Sequence, residues 1–247
     1  ACPPEVREDA EFDPAKATFR ARKVKAMGAI ILSETPLPKP SGKAARAALI
    51  KHIEEEGFGP TGLEGTVRTF VARISALRGT HGEDWPLVSV EHYQRSLKGW
   101  FEDALRNSSG PVPSAKSFEK SLKTTLDWPL SQGLDRLAPT SVKLPSGRAA
   151  PLDWLDDRAP VLECRVQELY GAKTHISVAD GRLPVTIQIL SPGGKPVATT
   201  RDLPGFWSGG YADMVKDMRG RYPKHDWPED PSHAKPHAGM TKKRLGL

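Results

Sequence analysis

Residues 185–200, VTIQILSPGGKPVATT, contain a strand, a turn and a second strand in one short run. Apolar and polar residues alternate over 185–189, which is the two-residue period of a strand with one buried face. Pro192 and Gly193 then suit the central positions of a type II turn, and residues 197–200 return as a second strand. The stretch predicts a β-hairpin and therefore a fold that contains antiparallel sheet.

A short amphipathic helix is predicted directly after the hairpin. Tyr211, Met214 and Met218 recur at helical spacing. Gly220 is suited to the end of this helix, and Pro223 prevents its continuation. The C-terminal half of the chain therefore mixes strands and helices.

The preceding block, residues 41–138, has helical periodicity and almost no strand signal. Three apolar stripes lie at spacings of three and four residues, and the third follows Ser89, a suitable N-cap. Two shorter helices follow, one around Phe118 and one that starts at Pro129. Because the aromatic residues fall on the apolar stripes, we expect them to pack in a core. The stripes are Ala45, Ala48, Leu49 and Ile53; Val67, Phe70, Val71, Ile74 and Leu77; and Val90, Tyr93, Leu97, Trp100, Phe101 and Ala104.

Residues 17–33, ATFRARKVKAMGAIILS, predict two short strands that meet near Gly28. The first carries a run of cations that would project from a strand or its edge. Such cations can contact phosphates, or they can keep an exposed strand edge soluble. Both interpretations stay open at this point. The cations are Arg20, Arg22, Lys23 and Lys25.

Composition limits the classes of protein to which the chain can belong. It has 247 residues, a formal net charge of +6 and 38% hydrophobic residues, which suits a globular protein with a buried core. No apolar stretch approaches the roughly 20 residues of a membrane-spanning helix. With two cysteines and no signal-peptide pattern, we expect a cytoplasmic protein, and the opening at Ala1 suggests a piece of a longer one.

No catalytic, cofactor-binding or metal-binding pattern is visible in the sequence. The two Gly-Lys pairs, at 42–43 and 194–195, lack the upstream glycine and the following Ser or Thr of a phosphate-binding P-loop. His225, His233 and His237 are separated by prolines, which favours a solvated tail over a metal site. We therefore expect binding, and not catalysis, from these residues.

Longer motifs in the last hundred residues resemble one family closely. The segments are LAPTSVKLPSGR at 137–148, RVQELYG at 165–171, LSPGGKPVATTRDLPGFWSGGY at 190–211 and RGRYPKHDWPEDP at 219–231. They resemble the C-terminal region of HrpB-type bacterial ATP-dependent helicases, in the DEAH/RHA group. Weaker similarity covers the strand segment at 17–33 and the helical block.

The resemblance implies a role outside the motor of such a helicase. Family members bind ATP and Mg²⁺ in two RecA-like domains with a P-loop and a DEAH box, and none of those motifs occurs here. Accessory domains follow the motor and include an OB-like barrel that lines a single-strand channel. The resemblance implies a region that weakly binds single-stranded nucleic acid, with RNA favoured over DNA, beside a motor in the same polypeptide. The alternative is a protein-interaction module of the helicase that does not itself contact nucleic acid.

Binding to a single strand would use cations on phosphates and flat side chains under bases. One candidate set is the basic run on the first predicted strand. The second lies around the C-terminal helix, where the aromatic residues could equally be packing the helix onto the hairpin. The candidates are Arg20, Arg22, Lys23 and Lys25, and Trp207, Lys216, Arg219, Arg221 and Lys224.

The predicted fold class is α+β, with an N-terminal strand pair and a C-terminal β-rich, OB-like body separated by a helical block. Four segments are expected. They are residues 1–40, a strand segment of the OB-like part; 41–138, a helical subdomain; 139–231, a family-specific α+β domain; and 232–247, a flexible basic tail.

Overall fold

The computed structural model describes residues 3–106, 108, 110–154 and 159–238. The chain divides into two compact units. The first consists of residues 1–71 and 88–131, and the second of residues 72–87 and 132–247. Each unit contains a sheet and helices, so the α+β class is confirmed. The four predicted segment boundaries stay a prediction.

The first unit begins with a three-stranded antiparallel sheet instead of the predicted strand pair. Its strands are β1 (Glu5–Asp13), β2 (Thr18–Met27) and β3 (Ile30–Leu37), in the order β1-β2-β3. The acidic sequence of β1 has no strand pattern by itself. It pairs because its carboxylates face cations on β2, with Glu8 opposite Lys23 and Glu11 opposite Arg20.

Among the described residues, six α-helices begin in the first unit. They are α1 (Gly42–Glu56), α2 (Glu64–His81), α3 (Val90–Arg95), α4 (Trp100–Arg106), α5 (Ala115–Lys123) and α6 (Trp128–Leu137). The single helix expected after Ser89 is two helices, because the chain bends at Gly99, where φ is 89°. Ser89 is the N-cap of α3, and its hydroxyl accepts a hydrogen bond from the His92 amide at 3.1 Å.

Aromatic residues form the core of this unit, as their place on the apolar stripes predicted. Phe101 and Phe118 are fully buried and meet edge to face, with ring centroids 5.8 Å apart. Tyr93 packs against Phe70 and reaches the Thr125 hydroxyl at 3.2 Å. Burial raises the pKa of Tyr93, so this phenol stays neutral.

The second unit contains a five-stranded sheet in the order β10-β9-β6-β5-β4. Strands β6 and β9 are parallel, and the other neighbours are antiparallel. No pairing between β10 and β4 occurs in the part of the chain that the structure describes, so the OB-like barrel stays a prediction. The elements are β4 (Ser141–Lys143), β5 (Ala149–Asp153), β6 (Val161–Arg165), β7 (Ser177–Val178), β8 (Leu183–Pro184), β9 (Thr186–Leu190), β10 (Pro196–Thr200), α7 (Leu203–Ser208) and α8 (Gly210–Arg221).

The predicted hairpin is present as β9 and β10, but its turn is not type II. A type II turn needs a positive φ at Gly193, whereas the positive φ, 83°, lies at Gly194. The Gly194 amide donates to the Ser191 carbonyl at 2.9 Å, so Pro192 and Gly193 do occupy the central positions of the turn.

Part of the segment assigned to a tail packs within the second unit. Directly before this segment, the Gly171 amide donates to the Pro231 carbonyl at 2.9 Å, and within it the His237 amide donates to the Gln167 carbonyl at 3.0 Å. His237 is 6% exposed. Residues 239–247 lie outside the described residues, and for them the flexible tail stays a prediction.

Candidate nucleic-acid interface

The basic run of β2 is divided between the two faces of its sheet. Because side chains alternate along a strand, Arg20 and Arg22 share a face with the buried Val24. Lys23 and Lys25 project from the opposite face. The structure therefore does not bring the four predicted cations together on one surface.

Both arginines of β2 already have carboxylate partners. Arg20 Nη2 lies 2.9 Å from Asp13 Oδ2, and Arg22 Nη1 lies 3.1 Å from Glu34 Oε2. The hydrogen bond from Arg20 lowers the pKa of Asp13, so this carboxyl is ionised at neutral pH. A phosphate at either arginine would compete with a carboxylate that is already in place.

The sheet as a whole has no excess positive charge. Residues 5–37 carry six acidic and six basic side chains. Lys23 faces Glu8 across the strands and Lys25 faces Val6, and both lysines are exposed. Among the described residues neither has a carboxylate within 4.0 Å. These two lysines are the part of the run that remains open to an anion.

Helix α8 separates its apolar face from its cations. Tyr211, Met214 and Met218 are buried, while Lys216 and Arg219 are exposed. Lys216 Nζ lies 3.0 Å from Asp213 Oδ1, and Arg219 Nη2 donates to the Trp227 carbonyl at 3.3 Å.

Lys216 and Arg219 also line a shallow groove of about 460 Å³, whose other wall includes Pro228 and Glu229. Because Glu229 lines the same groove, its positive potential is reduced. This groove is a weaker anion site than its two cations suggest.

Trp207 is a packing residue in this structure. Its indole Nε1 donates to the Ala172 carbonyl at 2.9 Å, and its half-buried ring lies near Tyr170 and Tyr211, with centroids 6.3 and 5.6 Å away. The Tyr211 hydroxyl donates to the Pro228 carbonyl at 3.0 Å. Burial raises the pKa of Tyr211 to about 12, which keeps it a neutral donor. The aromatic cluster therefore anchors α7 and α8.

Arg165 is a cation near the predicted set that sequence reasoning missed. It ends β6, and the parallel pairing of β6 with β9 puts it opposite Leu190, directly before the hairpin turn. Its Nε donates to the Pro192 carbonyl at 3.3 Å. No local pattern signals this position, because it depends on pairing between strands more than twenty residues apart.

Tyr222 and its neighbours lie against the same hairpin turn. A Cβ added at Gly193 would be 2.7 Å from the Tyr222 hydroxyl, so the phenol packs directly on the glycine. The His225 ring lies 5.8 Å from that of Tyr222, and burial followed by the charge of Arg165 lowers the pKa of His225. We call this region the hairpin-end surface, and it comprises Arg165, Arg221, Tyr222, Lys224 and His225.

The hairpin-end surface suits the binding of a single strand. Arg165, Arg221 and Lys224 are exposed, and among the described residues none has a carboxylate within 4.0 Å. Tyr222 directly follows Arg221 in the chain and is partly exposed. Cations beside one accessible ring are the elements that hold phosphates and a base.

Within the described part of the chain, no three His, Cys, Asp or Glu residues converge as metal ligands. Burial raises the pKa of the Cys164 thiol to about 12, so it is not a nucleophile at neutral pH. No described helix has both the length and the hydropathy to cross a membrane.

Known proteins similar to this chain are helicases. A family model described as ATP-dependent helicase C-terminal matches residues 100–231. The ATP-dependent RNA helicase HrpB of Escherichia coli (strain K12) is 32% identical over 249 residues, which cover 98% of this chain and 30% of that protein.

Two solved structures also match most of the chain. The crystal structure of the E. coli DExH-box NTPase HrpB has a TM-score of 0.64 at 30% identity and covers 96% of this chain and 30% of that one. A crystal structure of the E. coli DEAH/RHA helicase HrpB has a TM-score of 0.54 at 30% identity. This match covers 92% of this chain and 29% of that one. The chain thus spans about 30% of the length of these relatives.

Proposed function

The chain belongs to the ATP-dependent helicase C-terminal family of the HrpB type, and on that premise we propose that it is an accessory region that weakly binds single-stranded nucleic acid. Its partner is a RecA-like motor in the same polypeptide. RNA is the favoured strand, because the similar E. coli protein is named an RNA helicase. ATP and Mg²⁺ belong to that motor in this proposal, and no residue of this chain is assigned to them. We also propose a cytoplasmic location and an OB-like body.

The observation that carries this proposal is the hairpin-end surface. Arg165, Arg221 and Lys224 offer three cations that can neutralise phosphates, and Tyr222 offers a ring for a base. Lys216 and Arg219 lie on the same helix as Arg221 and would add secondary contacts. The cations of β2 are weaker candidates for phosphate contacts, because two of them are paired with Asp13 and Glu34.

Salt dependence tests the binding directly. We would measure the anisotropy of fluorescein-labelled U12 against the full chain from 25 to 200 mM salt. Each phosphate contact on a single strand contributes about 0.7 to the slope of log K against log salt. The triple variant R165Q/R221Q/K224Q should therefore reduce that slope by about 2 and weaken binding at every salt concentration.

The matched control is R20Q/R22Q/K23Q, which removes the same number of charges from β2. We expect it to change the slope by less than half as much, since Asp13 and Glu34 already neutralise the two arginines. If the control loses the affinity and the hairpin-end variant keeps it, β2 is the interface. If the unmodified chain binds no U12 at 25 mM salt, the binding proposal fails.

One observation favours the alternative of a protein-interaction module. Strand β3 is the edge of its sheet, and Ile30, Ile31 and Leu32 on it are 61%, 50% and 48% exposed. An exposed apolar edge is unusual unless another chain or domain covers it. In that function, I30S/L32S would abolish capture of the separately expressed motor domains, while the strand-binding assay would give no signal.

A further inference from the structure

A groove in the first unit has a more uniformly basic lining than any predicted site. It has a volume of about 580 Å³ and lies where the start of β2, the start of α1 and the end of α4 meet. That volume is in the range of small-ligand sites. It is lined by Thr18, Phe19, Pro38, Lys39, Pro40, Gly42, Ala45, Arg46, Leu105, Arg106, Ser108, Gly110 and Pro111.

Three cations and no carboxylate line this groove. Lys39 and Arg46 have no Asp or Glu oxygen within 4.0 Å among the described residues. Arg106 has only loose partners, at 3.7 Å from Glu102 and 3.6 Å from Asp103. Because Lys39 and Arg46 lack neutralising acids and Arg106 has only loose ones, the groove favours an anion.

The Arg46 side chain lies along its own helix and does not extend fully into solvent. Its Nη1 would lie 3.3 Å from a Cβ at Gly42, so the guanidinium folds back along α1, and the residue is half-buried. A half-buried guanidinium without a carboxylate is costly unless an anion or water satisfies its donors. A phosphate offers paired oxygens that match the guanidinium fork.

Phe19 gives the groove an aromatic wall. Its ring packs on Phe12 at a centroid distance of 5.4 Å and is only half-buried. Prolines at 38, 40 and 111 complete an apolar lining beside the cations. A ligand with a flat apolar part and a phosphate therefore fits better than a simple anion.

We infer that this groove binds one or two nucleotide units of a single strand, with phosphates at Lys39, Arg46 and Arg106 and a base against Phe19. The inference rests on the proposed function for its ligand class, single-stranded nucleic acid. It names a separate site, because none of its residues belongs to the hairpin-end surface. Phosphodiester in a strand is the ligand, and a free nucleotide is the competing source of the same chemistry.

The test uses the full chain and a labelled U8 strand. K39A/R46A should weaken binding about tenfold at low salt and reduce the salt slope by about 1.4, the contribution of two single-strand phosphate contacts. The matched control K43A/K51A removes two exposed lysines of α1 that lie outside the groove, and it should bind as the unmodified chain does. F19L keeps the contact with Phe12 but removes the stacking face, and it should weaken U8 binding several-fold without changing the salt slope.

Three outcomes would contradict the inference. If K39A/R46A binds like K43A/K51A while R165Q/R221Q/K224Q loses affinity, the groove is not a site and the proposed function stands. If the unmodified chain binds no strand at low salt, both fail together. If free UMP binds as tightly as U8, the groove is a mononucleotide site and not a strand site. Equal unfolding midpoints for the two double variants would exclude loss of fold as the cause.

Discussion

Removing the indole of Trp207 distinguishes a packing residue from a stacking platform. Trp207 Nε1 donates to the Ala172 carbonyl at 2.9 Å, and the ring lies edge to face with Tyr211 at 5.6 Å. Trp207→Ala removes both interactions. Trp207→Phe keeps an aromatic ring but loses the donor and part of the ring's contact area.

The structure sets the expected size of each effect. Truncation of a fully buried Trp to Ala lowers the free energy of unfolding by about 3–5 kcal/mol. Because Trp207 is only half-buried, we expect a loss of about 3 kcal/mol for Trp207→Ala, which includes the effect of leaving the Ala172 carbonyl unsatisfied. Trp207→Phe should cost at least about 1 kcal/mol, the typical net value of the lost hydrogen bond, because the smaller ring also loses packing area. The difference between the two variants measures the aromatic contacts.

Far-UV circular dichroism during heating would measure these changes. In a chain of this size about 1 kcal/mol moves the midpoint by roughly 2–4 °C, so Trp207→Ala should lower it by about 6–12 °C. Trp128, which is 76% exposed, is the matched control, and Trp128→Ala should stay within about 0.5 kcal/mol. If Trp207→Ala unfolds like the unmodified chain but loses U12 affinity, Trp207 is a stacking residue and the packing argument is wrong.

Two further predictions concern the histidines with lowered pKa values and the glycines of the hairpin turn. Burial lowers the pKa of His237 and His225 from 6.5, so the folded state disfavours their protonation. Their contribution to stability should therefore be complete above pH 6.5 and be lost as the pH decreases below that value. The variant His237→Phe should show a smaller decrease of the unfolding midpoint over this pH range. The idea fails if the variant keeps the whole pH dependence. Gly193→Ala puts a Cβ 2.7 Å from the Tyr222 hydroxyl, and it should weaken U12 binding because the ring is displaced. Gly194→Ala meets no neighbouring atom but adopts a φ of 83°, so it should cost about 1 kcal/mol of stability and leave the affinity unchanged. Equal affinity for both variants would show that Tyr222 does not contact the strand.

Elements with strong local signals were predictable from the sequence. The hairpin of β9 and β10 and the helix α8 follow from periods of two and of three to four residues, because one face of each is buried. The N-cap role of Ser89 also depends only on neighbouring residues. The helix break at Gly99 was missed because the apolar stripe continues across it.

Features that depend on distant partners were not predictable. Strand β1 has charged residues where a strand normally has apolar ones, and it is stabilised by pairing with β2. Arg165 reaches the hairpin turn only through the parallel register with Leu190. The basic groove at Arg46 gathers residues from three segments, so no single stretch of sequence indicates it.

The distribution of charge explains how a modest net charge can serve strand binding. A net charge of +6 would be ineffective if spread evenly, but residues 5–37 have no net charge, and cations with no carboxylate partner or only a loose one line the basic groove and the hairpin-end surface. In the proposed function each site alone would contact two or three phosphates, which gives weak and strongly salt-dependent affinity. Weak contacts also release quickly, which suits the proposed role beside a helicase motor, since tight binding at either site would hold the strand in place.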